Sequence, residues 1–173
     1  MHERLSAMTP YKPDEILPRL DDECFIVYTS GTTGNPKGVV LVQRNIIADS
    51  AAIAEWHRLD SASRLMCVLP VHHVNGTIVT HTTPMIAGAT TVLNRKFQTE
   101  HFFQRVEREE VQIVSVVPTL LAFLLENAKT TSINVPPSLR YMICGAGPLT
   151  CSLAEQFETT FGLRIVHGYG LSE

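Results

Sequence analysis

Between Tyr28 and Gly38 the chain reads Tyr-Thr-Ser-Gly-Thr-Thr-Gly-Asn-Pro-Lys-Gly, with four small hydroxyls, three glycines, one lysine and almost no side-chain bulk. Gly31, Gly34 and Gly38 let successive backbone N–H groups turn inward and form an anion nest. Thr29, Ser30, Thr32 and Thr33 add hydroxyl donors, and Lys37 adds a mobile positive charge. A loop of this make-up suits a polyphosphate. It is not a Walker A loop: Pro36 stands where the second glycine belongs, Gly38 replaces the metal-binding hydroxyl, and β-branched residues follow instead of a helix. No GxGxxG spacing occurs there. The plain alternative is a hairpin turn, but such a turn needs only about two to five residues and no lysine.

Three further segments carry chemistry. Pro70-Val71-His72-His73-Val74-Asn75-Gly76 holds adjacent histidines. On an extended segment these point to opposite sides, so they do not chelate one metal, and one faces a site while the other packs. The alternative is that both are ordinary core or surface histidines. Cys144-Gly145-Ala146-Gly147-Pro148-Leu149 offers small residues that let a flat or linear ligand approach the backbone. The chain then closes on His167-Gly168-Tyr169-Gly170-Leu171-Ser172-Glu173.

The elements that must position these segments follow from hydrophobic pattern. Strands are expected at 24–28, 64–69, 90–93, 111–117, 139–144 and 163–167, with a further apolar run at 39–42. Helices are expected at 44–57 with Asn45 as cap, at 74–87 broken by Pro84, at 99–110 capped by Thr99, at 119–128 begun by Pro118, and at 150–161 stopped by Gly162. Strands alternate with helices, and the strands do not alternate apolar with polar. That predicts an α/β fold: an open, mostly parallel sheet with helices on both faces. Ligands gather beyond the carboxyl ends of such strands, and the loops 29–38, 70–76, 144–149 and 168–173 are all expected there.

Composition narrows the classes. The chain has 173 residues, 45% hydrophobic and 18% charged, with net charge −3. This is material for one globular domain, with residues 1–22 as a tail or connector and 23–173 as the domain. There is no basic excess to suggest nucleic acid, and no apolar run approaches the roughly 20 residues of a membrane span. The four cysteines, Cys24, Cys67, Cys144 and Cys151, lack CxxC spacing; three are expected as small buried hydrophobes, in a reduced, cytoplasm-like compartment.

The stretch Tyr28–Gly38 resembles the phosphate-binding signature of the acyl-adenylate-forming (AMP-binding) superfamily, and the other three segments agree. The loop at 70–76 is similar to the family's Pro-x-x-His segment, which implies that His73 lines the acyl pocket. Gly145, Ala146 and Gly147 match a turn lying against nucleotide and acyl group. Gly168, Tyr169, Gly170, Ser172 and Glu173 resemble Gly-Tyr-Gly-x-Thr-Glu, with Ser172 for the usual threonine. The resemblance implies that Thr29, Ser30, Gly31, Thr32, Thr33, Gly34 and Lys37 hold ATP phosphates and that Tyr169 stacks on adenine. It assigns Lys37, Ser172 and Glu173 to catalysis, and Glu173 to Mg²⁺. It is most like acyl-CoA synthetases, notably at Val117-Pro118-Thr119, with Val74, Thr77, Ile78 and Met85 as an apolar pocket wall for a fatty acid. The implied reaction joins a carboxylic acid, ATP and coenzyme A. The resemblance covers the middle of the family's large N-terminal domain, without the C-terminal lid domain. An incomplete ligase with little turnover alone is therefore expected, with self-association through exposed sheet surface. A degenerate nucleotide-binding module and an amino-acid or aryl-acid adenylation domain are the alternatives.

Overall fold

The computed structural model describes residues 17–29 and 35–172. Most of the expected tail, the centre of the glycine loop (Ser30, Gly31, Thr32, Thr33 and Gly34) and Glu173 lie outside the described residues.

The first two strands depart from the expected plan. β1 (Glu23–Thr29) and β2 (Lys37–Val42) pair antiparallel as a two-stranded sheet of their own. The reason is chain length. Seven residues join Thr29 to Lys37, whereas a parallel crossover needs about a dozen or more. The glycine loop therefore joins two antiparallel strands and does not follow a strand of the parallel sheet. Phe25, Ile26, Tyr28 and Val40 remain exposed on it. Its open end is fastened to α1 (Gln43–His57) by the backbone amides of Gln43 and Arg44, which donate to Asp22 O (3.0 Å) and Leu20 O (2.8 Å). Asn45 does serve the start of α1: its Oδ1 accepts from the Val42 amide at 3.0 Å.

Everything else builds one parallel sheet of five strands, β3 (Arg64–Cys67), β4 (Thr90–Leu93), β5 (Ile113–Val116), β6 (Tyr141–Cys144) and β7 (Arg164–His167), in the order β4-β3-β5-β6-β7. Both faces of the central strands β3, β5 and β6 are covered, which is why these strands are mostly apolar. One face packs Met66, Val114, Val116 and Met142 against α3 (Phe102–Arg108), α4 (Pro118–Ala128) and α5 (Cys151–Phe161), through Phe102, Val106, Leu121, Leu124 and Phe157. The opposite face presents Leu65, Ile113 and Ile143 to Val79 and Leu59.

The segment after β3 is helical but not α-helical at first. Residues Asn75–Thr82 form a π-helix, continued by α2 (Thr83–Ile86). Threonines explain the widening: Thr77, Thr80 and Thr82 hydroxyls donate back to the carbonyls of His73 (3.1 Å), Gly76 (3.1 Å) and Ile78 (3.3 Å), competing with the helical ladder. Pro84 has no N–H to offer Thr80 O, and the Thr91 hydroxyl from β4 donates to that carbonyl instead at 3.0 Å. Thr99 is not a cap. It opens a short 3-10 turn, Thr99–His101, and the position before it, Gln98, makes no side-chain capping bond. Thr150 does cap α5, accepting from the Leu153 amide at 3.3 Å. Among the described residues no helix is long and apolar enough to cross a membrane.

Candidate active site at the carboxyl edge of the sheet

Strand order locates the site. From β3 the chain moves outward to β4, and from β5 it moves the other way to β6. The crevice between the carboxyl ends of β3 and β5 is thus the switch point, where open α/β sheets hold ligands.

A buried polar residue of β5 marks that crevice. Ser115 sits in the apolar strand Ile113-Val114-Ser115-Val116 and is 0% exposed. A buried hydroxyl needs a partner, and Ser115 Oγ donates to Asn75 Oδ1 at 2.6 Å. The bond ties the loop after β3 to the middle of β5. The Asn75 amide nitrogen lies 3.6 Å from where a Cβ on Gly145 would stand, and the Gly168 carbonyl 3.2 Å from the same point. Gly145 N–H donates to Val116 O at 3.2 Å, and Gly168 N–H to Cys144 O at 2.8 Å. Gly147 packs on the Pro118 ring, 3.5 Å from an added Cβ. The loops after β3, β6 and β7 therefore meet, with the start of α4 beside them.

Gly145 and Gly147 lie in this junction, buried and half-buried, and Gly168 is half-buried. Ala146 is exposed and has φ 58°, a left-handed conformation uncommon for a residue with a Cβ. Strain of this kind gathers at ligand sites. Gly170 is exposed, Tyr169 is 90% exposed, and Ser172 is half-buried. Thr29 and Lys37 stand opposite one another in register at the end of the hairpin, with Lys37 exposed. They belong to the separate two-stranded sheet, so the described residues do not join them to the glycine cluster by a shared strand.

The histidines correct one expectation. The segment is not extended. His73 N–H donates to Pro70 O at 3.1 Å, closing a turn that brings the His72 and His73 rings to the same side, centroids 4.5 Å apart. Both are exposed. The pocket wall is also not continuous: Ile78 is buried at 4% exposure while Met85 is 68% exposed. Among the cysteines, Cys67 and Cys144 are fully buried, Cys24 is only partly so, and Cys151 is exposed. Burial pushes the Cys144 thiol up to about 11, so beside Gly145 it is an inert filler and not a nucleophile.

Sequence reasoning missed Asn75 and Ser115. The signal was present in the lone hydroxyl of an otherwise apolar strand, which must find a partner, and in the amide two residues after His73.

The sequence profile of AMP-binding enzymes matches residues 2–173. A sulfoacetate–CoA ligase from Cupriavidus necator is 33% identical over 172 residues, covering 99% of this chain and 32% of that protein. The N-terminal domain of FACL13 from Mycobacterium tuberculosis, solved with an inhibitor, superimposes with a TM-score of 0.83 at 28% identity, over 99% of this chain and 42% of that one. ATP-bound MatB from Rhodopseudomonas palustris gives a TM-score of 0.81 at 26% identity, over 90% of this chain and 30% of its own. The chain thus spans about a third of the length of the sulfoacetate–CoA ligase. With a parallel sheet, a glycine-lined carboxyl edge and a profile match over nearly its whole length, the chain belongs to the AMP-binding enzyme family.

Proposed function

We propose that a protein carrying this chain activates a carboxylic acid with ATP and passes the acyl group to coenzyme A. The observation that carries the reading is the meeting of Asn75, Ser115, Gly145 and Gly168 at the switch point of the sheet, the place where the fold receives a ligand. Likeness to a sulfoacetate–CoA ligase and to an ATP-bound enzyme supports the chemistry.

A carboxylate oxygen attacks the α-phosphorus of ATP. The new P–O bond replaces the bond to the bridging oxygen, which leaves with its electron pair in pyrophosphate. The thiolate of coenzyme A then attacks the acyl carbon, and AMP leaves. The carboxylate is already a nucleophile, so no general base is needed, and catalysis is positioning plus neutralisation of phosphate charge. Lys37 and the hydroxyls of Thr29, Ser30, Thr32 and Thr33 hold the β- and γ-phosphates, with backbone donors at Gly31 and Gly34. Gly145, Ala146 and Gly147 flank the nucleotide and acyl group, Tyr169 closes over adenine between Gly168 and Gly170, and Ser172 acts at the α-phosphate. The neighbouring Glu173 carboxylate is a hard oxygen donor of the kind Mg²⁺ takes. When bound, that ion supplies further neutralisation of the phosphates.

The carboxylic acid is the remaining ligand. His73 at the crevice mouth would meet it, and a fatty chain is one candidate, held by Val74 and Thr77. The cytoplasm is the proposed setting. Acid-dependent exchange of labelled pyrophosphate into ATP tests the reading, run with fatty, aryl and short anionic acids. Lys37→Ala and Glu173→Gln should each lower exchange by at least about 100-fold. Unchanged exchange in both variants, or no acid that supports it, would contradict the assignment.

A further inference from the structure

One basic cleft lies outside the crevice just described. It opens at the carboxyl ends of β3 and β4, one strand away from the β3–β5 switch point, and is roofed by the start of α3. Its polar wall is Asn94, Lys96, Gln98, His101 and Arg105, and no carboxylate among the described residues lines it. Met66 and Phe102 close its floor.

The cations in this wall take part in no ion pair among the described residues. The ion pairs among the described residues occupy Arg44, Arg108 and Lys129, and leave Lys96 and Arg105 out. Arg105 is held in place by one bond, from Nη2 to Leu93 O at 3.3 Å. Its Nε is buried and has no acceptor among the described residues. A buried guanidinium N–H without a partner is costly and rare in native structures. Asn94 is likewise pinned: its backbone N–H and Nδ2 both donate to Cys67 O, at 3.0 and 3.2 Å. A fixed fork, a mobile ammonium and two amides around one small opening match a multiply charged anion with several acceptors.

We infer that the cleft formed by Asn94, Lys96, Gln98, His101 and Arg105 is a binding site for a phosphoryl group, free or carried by a nucleotide. The inference does not depend on the ligase reading, since the cleft shares no residue with the glycine loop.

The test is an NMR titration of the ¹⁵N-labelled 173-residue chain with inorganic phosphate, against chloride at equal ionic strength, and then with adenosine 3′,5′-bisphosphate. Saturable shifts should centre on Lys96, Gln98, His101 and the Arg105 side chain. Lys96→Gln, at an exposed position, should weaken binding about tenfold, and Arg105→Gln should weaken it at least as much. Lys37→Ala should leave it unchanged, which separates this site from the ATP loop. Binding of phosphate as tight as that of the bisphosphate indicates a free anion, and tighter binding of the bisphosphate indicates a nucleotide. Shifts that do not saturate, that spread over surface lysines and arginines alike, or that survive both cleft variants would overturn the inference.

Discussion

Replacing Gly76 by alanine probes how tightly the crevice is built. Gly76 is the second residue of the π-helix, and its backbone lies directly on the preceding turn. A Cβ there would stand 2.3 Å from Pro70 O, 2.9 Å from Pro70 C and 3.3 Å from Leu69 O. Ordinary contacts begin near 3.4 Å, so the turn and the helix must part by about one ångström. Neither neighbour is a flexible side-chain end. Forced insertion of a methyl into a packed site costs about 1–3 kcal/mol, and a backbone neighbour puts this case at the upper end. Alanine recovers about 1 kcal/mol through helix propensity. The net loss is about 1–2 kcal/mol, or a fall of about 2–8 °C in Tm for a chain of this size. Urea unfolding followed by circular dichroism measures it. Gly170→Ala is the control, because no atom of the described residues lies within 4 Å of its Cβ position, and it should change stability by less than about 0.5 kcal/mol. A second readout is the ring resonances of His72 and His73, which the same turn carries. They should move in Gly76→Ala and stay in Gly170→Ala. A Gly76→Ala chain as stable as wild type, with unmoved histidine signals, would refute the close approach.

Other expectations follow from individual residues. Ala146→Gly should raise stability by about 0.5–1 kcal/mol, because Ala146 sits at φ 58° where a Cβ is strained; a loss of stability in thermal unfolding would mean that no such strain exists. Limited alkylation followed by mass spectrometry should modify Cys151 first and Cys24 slowly, with Cys67 and Cys144 labelled only in denaturant; early labelling of Cys144 would contradict its burial and raised pKa. Burial, and then the charge of Arg140, holds His57 below its usual 6.5, where its Nδ1 meets the Tyr141 hydroxyl at 2.8 Å. The unfolded chain therefore takes up this proton at higher pH than the folded one. Stability from this pair is fully present above about pH 6.5 and is lost as pH falls through the lower, folded value. Tm measured from pH 7.5 down to about 5.5 should show that fall in wild type and a smaller one in His57→Phe.

Much of this fold was legible in the sequence because parallel strands buried on both faces leave an unmistakable apolar run, as in Leu65-Met66-Cys67-Val68 and Ile113-Val114-Ser115-Val116. The helix at 150–161 was legible for a different reason: Thr150 and Gly162 supply its start and stop, and the structure uses both. The hairpin was harder. β1 and β2 look like any other apolar strands, and only the seven residues between them exclude a crossover. The turn at 70–73 was hidden as well. Pro70 directly follows the expected strand 64–69, but the carbonyl it offers His73 folds the pair of histidines onto one side. The Asn75–Ser115 bond was legible only in half. A hydroxyl inside an apolar strand announces that it needs a partner but not which one, because the partner is 40 residues away in sequence. The π-helical turn was foreshadowed by a run of threonines whose combined effect on the ladder is not a sum of propensities.

The most direct measurement is a titration of the ¹⁵N-labelled chain with MgATP, following the amides of the hairpin tip from Thr29 to Gly38 together with those of Gly145–Gly147 and Gly168–Ser172. One nucleotide bridging a phosphate loop and a glycine-lined crevice should shift both groups along a single saturation curve, and Lys37→Ala should weaken both in step. Shifts confined to one group, or two curves with different midpoints, would mean that the hairpin loop and the sheet edge are not parts of the same site.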